Sequence, residues 1–231
     1  VVAEVVSRTG EVRAVDAADR RRDLAAGEPI RRGDTLHTGA DGRAEIEFRD
    51  GERVFLRPES RLRVRDWELP DTGPGTRIVE LLEGGLRAIT GAIGNRDADT
   101  YRTVSRQTTL GIRGTEYALR ICVEDECRPD GAGSDALPEG LYVGVDKGRV
   151  SLLNESGENT VAAGQLRYVA GPASAPVKAD QQVTDILYSE AEQAARAEEA
   201  MAATEVAKGG EDEGAHWGWI VLGIVLLGAA L

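Results

Sequence analysis

Apolar and charged residues alternate in short runs over the first three-quarters of the chain: Ala44-Glu45-Ile46-Glu47-Phe48, Leu62-Arg63-Val64-Arg65, and Thr115 to Ile121. A period of two sends one side of a segment to a core and the other to water, which is the pattern of half-buried β-strands. Asp41-Gly42 and Asp50-Gly51 flank the first run, and Asp50-Gly51 has the composition of a tight hairpin turn. Gly followed by an alternating run recurs at Gly10, Gly85 and Gly148, with spacing too irregular for a solenoid. The pattern predicts an all-β body over residues 1–170, a sandwich or roll of short, mostly antiparallel strands with Gly-rich corners.

Beyond this body the pattern changes. Gly171-Pro172-Ala173-Ser174-Ala175-Pro176 has a linker composition, which places a linker at 171–184. Residues 185–208 are rich in Ala and Glu and hold no Gly or Pro up to position 207, predicting a helix whose mostly alanine face suits a solvated stalk. Residues 209–216 read as an acidic, Gly-rich hinge. The run from Trp217 to Leu231 is uncharged and apolar, with two Trp residues at its start as in a membrane-interface belt. It falls somewhat short of the roughly 20 residues that span a bilayer. We read it as a C-terminal apolar helix serving as a membrane anchor, the alternative being an apolar helix docked on the body.

Charge narrows the function. The chain of 231 residues carries a net charge of -12, and positions 180–213 hold ten acids against two bases. Most of the acidity therefore lies behind the body, and no basic face of the kind that displaces counterions from nucleic acid is evident. Catalytic chemistry is nearly absent. His37 is the only histidine of the body, and no Gly-x-Ser-x-Gly elbow accompanies it. Asp97, Asp99, Asp130 and Asp135 offer loop oxygens, but neither group follows the EF-hand ligand order. The reading is of no catalytic, cofactor or metal residues.

Two motif blocks carry the strongest signal. The first runs from Gly33-Asp34-Thr35-Leu36-His37-Thr38-Gly39 through Gly42 to Asp50-Gly51, and the second is Leu110-Gly111-Ile112-Arg113-Gly114-Thr115-Glu116-Tyr117. Glycines inside a strand-like run mark a bulge, a bend or a close backbone approach. Gly111, Gly114 and Thr115 would form a corner, with Arg113 either bracing its open carbonyls or reaching a partner's carboxylate. Both blocks, in this order, resemble the FecR-type domain of bacterial cell-envelope proteins, over roughly Val2 to Val169.

The resemblance implies a periplasmic or cell-surface module that binds an envelope protein or polymer. In signalling members it receives a signal from an outer-membrane receptor and is preceded by a cytoplasmic anti-sigma segment, which is missing from this sequence. Val104-Ser105-Arg106-Gln107-Thr108-Thr109 also departs from the family's step before the second block. In an oxidising envelope compartment, Cys122 and Cys127 read most simply as a disulfide closing a strand-end loop, with free buried thiols as the alternative. The expectation is a non-enzymatic interaction or sensing module, against two alternatives: a glycan-acting enzyme using loop carboxylates, and a purely structural envelope protein.

Overall fold

The computed structural model describes residues 1–96, 100–129, 135–189 and 192–193. Ten strands come first: β1 (Ala3–Thr9), β2 (Val12–Val15), β3 (Arg21–Asp23), β4 (Pro29–Ile30), β5 (Thr35–Thr38), β6 (Arg43–Phe48), β7 (Arg53–Leu56), β8 (Arg61–Glu68), β9 (Thr76–Glu83) and β10 (Gly85–Ile89). A short helix, α1 (Ala92–Arg96), leads to β11 (Tyr101–Val104), β12 (Thr109–Cys122), β13 (Gly140–Asn154), β14 (Gly157–Ala162), β15 (Leu166–Val169) and β16 (Val177–Lys178). The helix α2 (Thr184–Leu187) follows.

All sixteen strands join one sheet. Its main path runs β3-β2-β5-β8-β9-β11-β12-β10-β7-β6-β1-β4, with β13 branching from β12 to carry β14, β15 and β16. The β9–β11 pair is parallel and the other described pairings are antiparallel. β1 and β2 are consecutive in the chain yet lie near opposite ends of this path. Val5 of β1 and Val12 of β2 nevertheless share one hydrophobic core. The sheet therefore folds over on itself, enclosing side chains from both ends.

Alternation decides which residues enter that core. Ala44, Ile46 and Phe48 of β6 point in, as do Val54 and Leu56 of β7. In β8 the inward set is Leu62, Val64 and then Trp67, because a register shift between Val64 and Asp66 moves the alternation by one residue. Phe48 N–H bonds Glu52 O and Gly51 N–H bonds Phe48 O, closing the β6–β7 hairpin at Asp50-Gly51, where Gly51 has φ 83°. That dihedral is open to glycine and strained for most other residues.

A second, smaller core lies on the outer face of the sheet, where Ala118, Tyr142 and Leu166 are covered by Ala179, Val183, Leu187 and Tyr188. Residues 171–184, which their composition marks as a linker, thus carry β16 paired to β15 and a turn at Gln181–Val183 that buries Val183. The reason is apolar spacing: Val183 and Leu187, four residues apart, fall on one side of the turn and α2. α2 ends at Leu187, and Tyr188 is extended. The compact unit runs from Val1 to Glu190. The expected stalk beyond Gln193, the hinge at 209–216 and the apolar run 217–231 lie outside the described residues. Among those described, no helix is long and apolar enough to cross a membrane.

Candidate functional site

The first motif block builds turns. Gly33 (φ 90°) donates its N–H to Val64 O. Asp34 is buried, accepting from Arg31 N at 2.7 Å and from both terminal nitrogens of Arg22, which fixes the β4–β5 turn against β3. Gly39 donates to Glu11 O and accepts from Glu59 N. At Gly42 a Cβ would lie 2.3 Å from Glu11 O, so only glycine lets these backbones approach. Thr38 Oγ1 donates to Arg57 O at 2.6 Å and accepts from Ser60 N at 2.8 Å. Asp50 Oδ2 accepts from Ile93 N and its carbonyl from Ala92 N, docking the start of α1.

The second block forms a bulged corner in β12, with register shifts at Arg113/Glu116 and Glu116/Tyr117. Gly114 has φ 59° and pairs closely with Gly148, whose Cβ would sit 2.4 Å from Gly114 O. Thr115 is buried, donating Oγ1 to Arg149 O at 3.0 Å, while its N–H bonds Thr90 Oγ1 at 2.9 Å. Gly111 pairs with Arg102 and Ser151 on its two sides. The Arg113 side chain is not among those described, so what it braces lies outside them. Asp97, Asp99 and Asp130 also lie outside the described residues, and Asp135 is exposed. Among the described residues, no three His, Cys, Asp or Glu side chains gather as metal ligands would.

The densest chemistry is one the motif reading missed. Arg77 of β9 and Glu52 of the hairpin form an ion pair with neither side chain exposed. Arg77 Nε donates to Glu52 Oε2 at 2.9 Å and Nη2 to Oε1, while Nη1 donates to Arg102 O at 3.0 Å and Thr103 Oγ1 at 2.6 Å. Tyr101 Oη donates to Glu52, Tyr117 Oη shares a hydrogen bond with Thr103 Oγ1, and the guanidinium stacks 4.3 Å from the Tyr101 ring. Burial pushes Tyr101 and Tyr117 above the usual tyrosine range, keeping both hydroxyls protonated. Burial is the largest influence on Arg77 and opposes its charge, but the Glu52 carboxylate together with Tyr101 and Tyr117 outweighs it and raises Arg77. Burial also pushes Glu52 up, against the lowering pull of Arg77. Three donors converging on one carboxylate are the geometry of an ionised pair. The network is sealed from solvent, so it clamps the hairpin to β9 and β11 and offers no substrate a path. Its sequence signal lies in β9, where Arg77, Val79 and Leu81 occupy one alternating face.

Two surfaces among the described residues stand out. One is a groove over β2, β5 and β8, lined by Arg13, Arg21, His37, Arg61 and Arg63 with Asp16 and Asp19. Its charges are partly matched across strands, Arg61 with Glu83 at 2.7 Å and Arg63 with Glu80 at 3.5 Å. His37 sits in β5; burial, then Arg13 and Arg61, hold it below the usual histidine range. The other surface carries the small core, where Cys122 and Cys127 are joined by a 2.04 Å S–S bond and both buried. There the strap of residues 177–188 is tied down by Tyr188 Oη donating to Asp146 at 2.9 Å and by Arg57 donating to Leu187 O.

Residues 34–131 match the FecR protein family. This span contains the first motif block from Asp34 onward, the whole of the second, the Glu52–Arg77 pair and the disulfide. Among solved structures, two of a candidate anti-sigma factor from Parabacteroides distasonis align at TM-score 0.47 and 16% identity, covering 65% of this chain and 61% of theirs. The chain thus spans about three-fifths of that protein's length. A cell surface anchoring domain aligns at TM-score 0.26 and 30% identity, over 26% of this chain and 79% of its own. A comparison with curated protein sequences returns no match.

Proposed function

We propose that the β body is a non-enzymatic interaction and sensing module of the cell envelope, binding a protein or envelope polymer, with an outer-membrane receptor as the implied partner for a signalling role. The observation that carries this reading is the FecR family match over residues 34–131. The closure of the Glu52–Arg77 network supports it, because the most perturbed ionisable groups serve packing and face no open cleft. The groove over β2, β5 and β8 suits such a partner: arginines held in partial cross-strand pairs can exchange their acids for those of another surface. The apolar run 217–231 would tether the module to a membrane, with the acidic segment before it as spacer.

The test is site-specific photo-crosslinking in whole cells from a probe replacing Arg63. A discrete adduct that disappears when Arg61 and Arg65 are changed to Glu supports the reading. Envelope-glycan hydrolysis by the purified protein that is abolished by Asp97→Ala, Asp99→Ala, Asp130→Ala or Asp135→Ala would replace it with the enzyme reading. Absence of any saturable adduct would leave a structural role.

A further inference from the structure

On the outer face of the sheet, register brings a row of like charges together. Ala44 pairs with Leu56 and Leu86 with Leu56, so the next residues along, Arg43, Arg57 and Gly85, lie side by side. Gly85 pairs with Arg120, which continues the row, and Arg57 N–H bonds Gly85 O at 3.0 Å. The row thus reads Arg43, Arg57, Gly85, Arg120 across four neighbouring strand positions. Like charges directly opposite one another destabilise a sheet. No acid interrupts this row.

Glycine is what makes room in it. A Cβ on Gly85 would lie 3.1 Å from both Arg57 Cδ and Arg120 Cδ and 2.7 Å from Leu119 O, so the two arginine stems lean over a position without a side chain. Above it lies a pocket of about 200 Å³, walled by Arg43, Arg57, Arg120 and Arg128, with Glu59, Glu126, Cys127 and Ile186 completing it. The Arg43 and Arg120 guanidiniums have no hydrogen-bond or ion-pair partner among the described residues. Arg57 is held in place by Leu187 O of the strap. Glu59, on the pocket's rim, has φ 54°, a left-handed conformation that a non-glycine residue seldom adopts.

The geometry points to this pocket as a binding site for a phosphoryl group, either free phosphate or a phosphate monoester carried by an envelope lipid or polymer. Donor count selects that class. Arg43 and Arg120 leave guanidinium donors that no described residue accepts, more than one carboxylate takes and suited to the oxygens of a phosphate dianion. Forked guanidinium donors also fit the oxygens of a phosphate. Burial lowers the Arg120 pKa despite the opposing pull of Glu126 and Glu59. The disulfide loop and the end of the strap both frame the pocket, and a bound anion would tie them together. This assignment goes beyond the partner-binding reading and stands or falls independently of it.

Calorimetric titration of the full chain in neutral detergent, with inorganic phosphate and separately with glycerol phosphate, tests the proposal. Saturable binding of either, weakened about ten-fold or more in Arg120→Met and strengthened in Glu126→Gln, supports it; ten-fold corresponds to one lost charge-assisted contact of about 1.4 kcal/mol. Tighter binding of glycerol phosphate assigns the ligand to an esterified source, and tighter binding of inorganic phosphate to a free one. No saturable binding of either probe, affinities unchanged in Arg120→Met, or acetate binding as well as phosphate would each overturn the assignment. Far-ultraviolet circular dichroism of both variants verifies that they fold.

Discussion

Arg77 and Arg120 are both strand arginines of one sheet, and the protein treats them oppositely. Arg77 points into the closed core, where a carboxylate, a carbonyl and a hydroxyl take its donors and a tyrosine ring covers its face. Arg120 points outward into a pocket it shares with three other arginines, and no described residue takes its donors. A buried charge with all its partners in place specifies one packing and is costly to break. A half-buried charge without partners contributes no stability and is retained for what comes from outside. The contrast separates the part of this family domain that holds the fold from the part available for recognition.

Breaking the inner pair should have the largest effect. Arg77→Ala or Glu52→Ala should lose about 3–5 kcal/mol in urea denaturation, because each strands the other charge in the core. The double change Glu52→Leu with Arg77→Met should cost far less than the two singles added. Equal and additive losses would mean the pair is not coupled as its geometry implies. Next in size is the disulfide: Cys122→Ser with Cys127→Ser should cost about 2 kcal/mol, given the short loop it closes. Because both sulfurs sit under the strap, the loss should appear with increased protease cleavage near Tyr188. Tyr188→Phe, which removes the bond to Asp146, should cost about 1 kcal/mol and loosen the strap without melting the body.

The smallest expected effect is in pH. His37 is held below its ordinary value of 6.5, so the fold prefers it neutral. As pH falls below 6.5 the unfolded chain takes up this proton first, and stability declines until the folded pKa is passed; above 6.5 there is no contribution. His37→Gln should flatten the acid side of the stability profile slightly, measured by thermal melting between neutral and mildly acidic pH. An unchanged slope would mean the surrounding arginines do not act on it.

The same contrast governs what the sequence revealed. Runs such as Ala44 to Phe48 announce strands, because alternation is a local property that burial enforces, and Asp50-Gly51 announces its hairpin for the same reason. The two motif blocks carry the FecR resemblance because their glycines answer to tight backbone approaches, as at Gly42 and Gly114. Arg77 was legible in principle, since it shares the alternating face of Val79 and Leu81, but charge argues against burial until its partner is known. That partner is 25 residues away in sequence. The arginine row was not legible at all, because Arg43, Arg57 and Arg120 become neighbours only through the register of strands distant in the chain. The linker composition at 171–184 concealed a strap, since three or four apolar side chains suffice to dock a short segment on a face already formed.

Thermal denaturation of Arg77→Met and Arg120→Met beside the wild type, each with and without millimolar phosphate, tests this division most directly. The account requires Arg77→Met to melt well below the wild type while keeping the phosphate-induced rise, and Arg120→Met to melt near the wild type while losing that rise. A large drop in Arg120→Met without phosphate, or an undiminished phosphate effect in it, would contradict the assignment of Arg120 to recognition.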